Sequence, residues 1–272
     1  MSDAGQLKGN LVVKNKILSG EVFSAGKLGM SEFLGVQVKL AKVPFPPHIR
    51  QLLTVNAGVF PDQTDVLNSF LDLYIESTSS LDILASWIDR DEEFVSLGNS
   101  NFSTCPMRSL EPYYFEEGWS TALEGKSVTV VTPFDKSVLS QYERRDKVWG
   151  SKNTLPAFNL SVVKSPFHSM RKSEYSDWFE ALDDLYNKCV DFDPDIVIVG
   201  AGAFALPLIH KLKTKGISGI HMGGGTQILF GIKGARWDDH EDISKFINDS
   251  WIRPSKEETP ENQSLVENGC YW

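Results

Sequence analysis

Residues 196–237 hold most of the side chains and turns whose types and spacing could do chemistry. Gly200-Ala-Gly202-Ala-Phe-Ala205 follows the apolar run Ile196–Val199 and opens an apolar-faced helical stretch. It matches G-x-G-x-x-G/A, in which a glycine turn between strand and helix brings backbone N–H groups up to a phosphate. Gly223-Gly224-Gly225-Thr226-Gln227 closes a second short strand and enters the next helix. Three successive glycines carry a large conformational-entropy cost, so they predict a close backbone approach or a positive φ angle. Thr226 is placed to cap that helix. Lys233 and Arg236 follow within a turn or two. Such a cation pair suits a diphosphate, the planar Arg fork being the bidentate partner. Both features also have plainer readings, as strand–helix packing glycines and as a basic helix end favoured by the macrodipole.

Other reactive residues carry less. The acid expected about twenty positions after a dinucleotide fingerprint, to hold a ribose hydroxyl, is absent: the second strand ends in His221, Met222 and Gly223. His221 itself reads equally as a base or sugar contact and as a hydrogen-bonded structural histidine. His240 lies among Asp238, Asp239, Glu241 and Asp242. Consecutive helical positions do not face one another, so a solvated acidic surface is the better reading than a metal cluster. G-x-S-x-G is absent, and no Ser-His-Asp set can be assembled.

The elements that must position these residues follow a strand–helix rhythm. Strands are expected at residues 21–25, 94–97, 127–132, 160–164 and 196–199, with one more ending at His221. The first ten residues are polar and expected to fray. A turn at 26–35 enters a helix that Pro44, Pro46 and Pro47 break. Pro61-Asp62 opens another, with Val66, Leu67, Phe70, Leu73 and Tyr74 at helical spacing. Leu81, Leu84, Trp87 and Ile88 continue that spacing after a Ser/Thr-rich break. Further helices are expected around 138–149 and 175–190. The rhythm predicts a single α/β domain, Rossmann-like, with a mostly parallel sheet flanked by helices. Its expected divisions are an N-terminal segment (1–20), the α/β body (21–253) and a tail (254–272) whose Cys-Tyr-Trp residues dock back onto the body.

At 272 residues, 41% hydrophobic and 23% charged, the chain can bury a substantial core. A net charge of −9 without a basic run argues against nucleic acid as a partner. Three scattered cysteines make neither a disulfide framework nor a metal motif, which favours a reducing compartment. No secretory signal is read at the start. The most apolar stretch, 196–209, is too short for a transmembrane segment and is interrupted by Gly200, Gly202 and Pro207. The expected location is cytoplasmic, with association with a membrane-bound system left open through a partner.

Four blocks carry a family likeness. They are Phe23-Ser-Ala-Gly-Lys-Leu-Gly-Met-Ser-Glu32; Leu123-Glu-Gly-Lys-Ser-Val-Thr-Val-Val-Thr-Pro-Phe134 with Gln141-Tyr142; Ile198-Val-Gly-Ala-Gly-Ala on to Gly231-Ile-Lys-Gly-Ala-Arg-Trp237; and Trp251-Ile-Arg-Pro254 with Glu267-Asn-Gly-Cys-Tyr-Trp272. With these, the chain resembles a bacterial family of sugar-transfer proteins associated with surface-polysaccharide loci and with the GT-D glycosyltransferase fold. The first block is similar to the arginine–glycine–Asp-Gly-Glu block of GT-D enzymes. The resemblance implies a glycosyltransferase that moves a sugar from a nucleotide-sugar donor to a glycan acceptor in surface or capsular polysaccharide synthesis, beside a membrane-bound assembly system.

In that family the acidic block is the metal and nucleotide-sugar site. Glu32 matches its second acid, Met30 stands at the first, and Lys27 stands where an arginine is usual, with Gly26 and Gly29 around it. The late strand has His221 and Gly224 where relatives tend to have an Asp and a His. The resemblance thus implies Mn²⁺ or Mg²⁺ at Glu32, an ion that completes its shell with water and phosphate oxygens. A leaving diphosphate needs a metal or fixed cations, and Lys27, Lys233 and Arg236 could supply the charge. Glu32 is the candidate base for the acceptor hydroxyl. Gly200, Gly202, Gly223, Gly224, Thr226 and Gln227 complete the expected phosphate contacts. Glu32, Gly202, Gly223 and Arg236 should then converge on one cleft at the carboxyl ends of the strands. Two other readings stand beside this one. One is a non-catalytic nucleotide-sugar-binding or polysaccharide-assembly module that lost activity with the acid at Met30, and the other is an NAD-dependent oxidoreductase.

Overall fold

Seven short strands, apolar on both sides, can be covered only if helices lie on both faces of their sheet. A computed structural model of the chain describes residues 3–99, 101–166, 174–261 and 263–272. Its strands are β1 (Ser24–Gly26), β2 (Ile83–Ser86), β3 (Ser103–Pro106), β4 (Ser127–Thr132), β5 (Asn159–Lys164), β6 (Ile196–Val199) and β7 (Ser218–His221). They form one sheet in the order β3-β2-β1-β7-β6-β4-β5, and every pairing is parallel. The register sets Val131 beside Val199 and Val199 beside His221, which aligns the strand ends that carry the glycine turns.

The helices are α1 (Asp3–Ser19), α2 (Met30–Leu40), α3 (Pro47–Gln51), α4 (Thr64–Thr78), α5 (Asp91–Ser96), α6 (Asp135–Glu143), α7 (Arg145–Val148), α8 (Trp178–Asp191), α9 (Ala205–Thr214), α10 (Gly225–Leu229) and α11 (Ala235–Asp238). Alternation along the strands divides the core. Val128, Val130, Ile196 and Ile198 face α1, α6 and the turns before β4. Val131, Val197 and Val199 face α2, α4, α8 and α9. Steps toward the β3 edge place their helices on the second face, and steps toward the β5 edge place theirs on the first. Right-handed crossovers require that separation. The molecule is a single doubly wound, Rossmann-like α/β domain.

Helix α8 illustrates the local logic. Asp177 caps it by accepting from the N–H groups of Phe179 and Glu180. Trp178, Ala181, Leu182, Leu185 and Cys189 recur at helical spacing and are all buried. The Trp178 ring stacks on Phe204 at 4.8 Å between centroids, which ties α8 to the turn that begins α9.

Several expectations need correction. The start of the chain is helical from Asp3, and Val13 and Ile17 of α1 are core residues. Residues 94–97 lie in and just beyond α5 and not in a strand. The stretch read as a continuing helix at 81–88 contains β2, whose Ile83 and Leu84 are buried on opposite faces. The helix expected at 138–149 is two pieces, α6 and α7, parted at Arg144. Thr226 does not cap α10; it lies within it, and Gly224 holds the cap position without a side-chain bond. Trp272 is buried beside Phe134, with its indole N–H donating to Glu258 O at 2.9 Å. Among the described residues no helix is long and apolar enough to cross a membrane.

Candidate functional site

Strand β4 leads right to β5, whereas its neighbour β6 leads left to β7. Adjacent strands with diverging connections leave a crevice at their carboxyl ends, where ligands of such sheets bind. The structure has a cleft of about 150 Å³ there. Thr132 at the end of β4 and Pro133 and Phe134 after it line one side, and Gly200, Ala201 and Gly202 follow β6 on the other. Asn56, Ala57 and Gly58 close it from the second face, and Val266 and Tyr271 from the first. None of the described lining residues carries a formal charge.

The two glycine turns do different work. Gly200 is a packing glycine: its N–H donates to Val131 O at 2.8 Å. A Cβ there would fall 2.8 Å from Thr226 Oγ1 and 2.9 Å from Gly223 O. Gly202 is the one with positive φ (52°). Among the described residues, the N–H groups of Ala201 and Gly202 have no hydrogen-bond partner. They stand at the head of α9, ten residues long, where the helix dipole favours an anion. The N–H of Gly223 is already used by Val199 O at 3.3 Å. Gly223 also has positive φ (59°). It lines the cleft on one side and on the other approaches Lys27, whose Cε would lie 3.3 Å from a Cβ there.

Beyond Gly223, at the ends of β1 and β7, lies a charged cluster. Lys27 is half-buried, with its ammonium 3.7 Å from Met107 Sδ and 5.7 Å from the Trp87 ring centre. Burial lowers its pKa, with Glu111 opposing the shift and Arg236 adding to it. Burial raises the Glu111 pKa, and Lys27 is the chief opposing charge. Arg236 pairs with Glu267 at 2.9 Å and stacks over Tyr271, its guanidinium carbon 4.9 Å from the ring centre. Tyr271 is a wall of the cleft, so Arg236 stands at the rim. Burial and the nearby Lys27 charge push the His221 pKa down to about 4, and its Nδ1 lies 3.3 Å from Val199 O. It is therefore a neutral, buried histidine.

Glu32 is 6% exposed. Burial raises its pKa to about 7 against the hydrogen bond from its own backbone N–H, and Glu267 adds to the rise. It sits beneath Gly29, whose N–H donates to Tyr74 Oη at 2.9 Å. Glu32 alone of the acidic block offers a carboxylate to the divalent ion that the resemblance implies. Met30, at the position of the first acid, is exposed, and the charges among Glu267 and Glu111 are the cations Arg236 and Lys27. Among the described residues no three His, Cys, Asp or Glu side chains gather around one point.

The expected residues thus fall into three groups. Gly200, Gly202, Gly223, Gly224, Thr226 and Gln227 line the cleft. Lys27, Arg236 and Glu32 belong to the adjoining charged cluster and do not line it. Gly26 and Gly29 are taken up by the fold, and Lys233 does not line the cleft. A Cβ on Gly26 would fall 3.0 Å from Leu206, and the N–H of Lys233 donates to Ile252 O at 2.8 Å. His240 is exposed in its turn, accepting at Nδ1 from the N–H groups of Asp242 and Ile243.

Sequence reasoning missed Glu111 and the stretch 55–58, where the helical run from Pro47 ends. Nothing in Glu111-Pro-Tyr-Tyr marks a site before β7 is placed beside β1, whereas Asn56-Ala-Gly58 carries an ordinary turn signal. Compared with protein-family models, with curated proteins and with solved structures, the chain matches none.

Proposed function

We propose that the chain binds a nucleotide sugar in the cleft between β4 and β6 and transfers the sugar to a glycan hydroxyl in surface-polysaccharide synthesis. The observation that carries this reading is the cleft itself. Its described lining is uncharged and partly aromatic and lies at the switch point, with the N–H groups of Ala201 and Gly202 unpartnered among the described residues and Arg236 on Tyr271 at the rim. A diphosphate fits N–H groups at the head of a helix. Charge developing on the leaving diphosphate would be met by Arg236 and Lys27. Glu32, with a pKa of about 7, is matched to proton transfer near neutrality, and it would serve an acceptor that enters over the charged cluster and not one held within the cleft. No step in this reading is routed through a metal. Nucleotide sugars place the protein in the cytoplasm, beside a membrane-bound assembly system.

A second reading, a nucleotide-sugar-binding assembly module without activity, draws support from the burial of Glu32 and from Met30 in place of an acid. Thermal unfolding with UDP, GDP, CMP, TDP and NAD, followed by assay of donor turnover, tests both. A ligand at a hundred times its dissociation constant stabilises by about 2.7 kcal/mol, or roughly 2–4 °C at this size. A shift with one nucleoside diphosphate and turnover of its sugar supports the transferase. The same shift without turnover on any glycan supports the module. A shift with NAD alone replaces both with an oxidoreductase.

A further inference from the structure

Two buried side chains lining the cleft each carry an oxygen without a partner among the described residues. Thr226 is 1% exposed and Gln227 3%. Among the described residues neither Thr226 Oγ1 nor Gln227 Oε1 has a hydrogen-bond partner. The Gln227 amide is oriented: its Nε2 donates to Tyr271 O at 2.8 Å. What remains is Oε1, and an amide oxygen only accepts. The oxygens of an ionised phosphate also only accept, so phosphate set against Gln227 would leave both groups unsatisfied. Gly200 packs directly on the buried Thr226 hydroxyl, since a Cβ there would fall 2.8 Å from it.

We infer that Thr226 and Gln227 together read one ligand group, which must present an O–H or N–H donor to Gln227 Oε1 and which the Thr226 hydroxyl meets as donor or acceptor. Phosphate then belongs on the N–H groups of Ala201 and Gly202 and not against Gln227. The inference deepens the nucleotide-sugar reading and rests on it. The donor is either a sugar hydroxyl or the ring N–H of a nucleobase. A buried polar atom without a partner destabilises the ligand-free fold, and an apolar group of the same shape would not. Removing the hydroxyl therefore has opposite effects on the free protein and on the complex.

The full chain, Thr226→Val and Gln227→Met are compared by ligand-free thermal unfolding and by titration calorimetry. The titrants are UDP-, GDP- and TDP-glucose, the matching nucleoside diphosphates, their base-N-methylated forms and inorganic pyrophosphate. T226V should unfold no earlier than wild type, yet bind the preferred nucleotide sugar about tenfold more weakly, the size of one neutral hydrogen bond. Pyrophosphate affinity should not change. Q227M, which also releases Tyr271, should lose at least as much. If the sugar is read, the loss appears with the nucleotide sugar and not with the diphosphate. If the base is read, it appears with both, and N-methylation weakens wild type to the level of T226V. The inference is overturned if both variants bind every nucleotide as wild type does, or if T226V unfolds early without ligand. If wild type binds no nucleotide, the functional reading itself falls and this inference with it.

Discussion

Gly29 and Glu32 compete for one volume: a Cβ on Gly29 would fall 2.6 Å from the Glu32 carboxyl carbon. The glycine at the start of α2 is thus a seat for a buried acid and not a phosphate contact.

That seat has a pH signature. The unfolded chain loses the Glu32 proton near 4.5, whereas the folded protein holds it to about 7. Raising the pH through this window therefore favours the unfolded state, and below 4.5 the difference vanishes. The interval amounts to roughly 3 kcal/mol. Glu32→Gln should stabilise the protein by up to about that amount above pH 7 and leave it unchanged near pH 4. Urea titrations at the two pH values measure it. Equal stability at pH 8 would mean that the carboxylate is solvated after all.

Gly200 and Thr226 meet across the cleft's floor, and the contact cannot relax by rotating a side chain. A Cβ at 200 would meet Thr226 Cβ at 2.8 Å and the Gly223 carbonyl oxygen at 2.9 Å. Gly200→Ala should destabilise by about 1–3 kcal/mol, the range for overpacking. Thr226→Ala added to it should not restore stability, because the Cβ and the carbonyl remain. Full rescue by that second substitution, read from urea midpoints, would show that the turn yields.

Gly234 holds the outer wall. A Cβ there would fall 2.5 Å from Tyr271 C and 2.6 Å from Cys270 O. The same strip is tied by the N–H of Ala235 to Trp272 O at 2.8 Å and by that of Arg236 to Cys270 O at 3.0 Å. Gly234→Ala should pry residues 270–272 from α11, raise amide exchange there and lower nucleotide affinity at least tenfold. Unchanged exchange would place the strip's hold elsewhere, for instance on the Trp272 indole.

How much of this was legible depended on what each residue was doing. The turn after β6 reads directly, because strand, glycines and helix are consecutive. Strand β2 does not: Ile83 and Leu84 are buried on opposite faces, so its apolar run lacks alternation and its spacing also suits a helix. Helix α1 hid for another reason. It docks partly through Gly9 and Asn10, the latter accepting from the Trp119 N–H and donating to Glu117 O, and such polar contacts leave no hydrophobic period. The charged cluster was half legible. Lys27, Glu32 and Arg236 lie in marked blocks, but Glu111 joins them only because β7 pairs with β1.

His221 and Glu32 should tilt the stability curve in opposite senses. Unfolded histidine takes its proton near 6.5, whereas buried His221 resists until about 4. Acidification through that window therefore favours unfolding, by roughly 3 kcal/mol in all. Between pH 4.5 and 6.5 the Glu32 contribution runs the other way, strengthening the fold as pH falls. The two slopes nearly cancel, and the wild-type profile from this pair is flat there. Each single variant should uncover the other's slope. E32Q should lose stability as pH drops from 6.5 to 4.5, and His221→Asn should gain it over the same range. The Glu111 carboxyl, also raised by burial, acts in all three proteins, adding to the gain in His221→Asn and offsetting part of the loss in E32Q. Urea midpoints at half-unit pH steps suffice to see it. Parallel curves for the three proteins would show that neither group titrates differently on folding, and that the charged cluster is open to water.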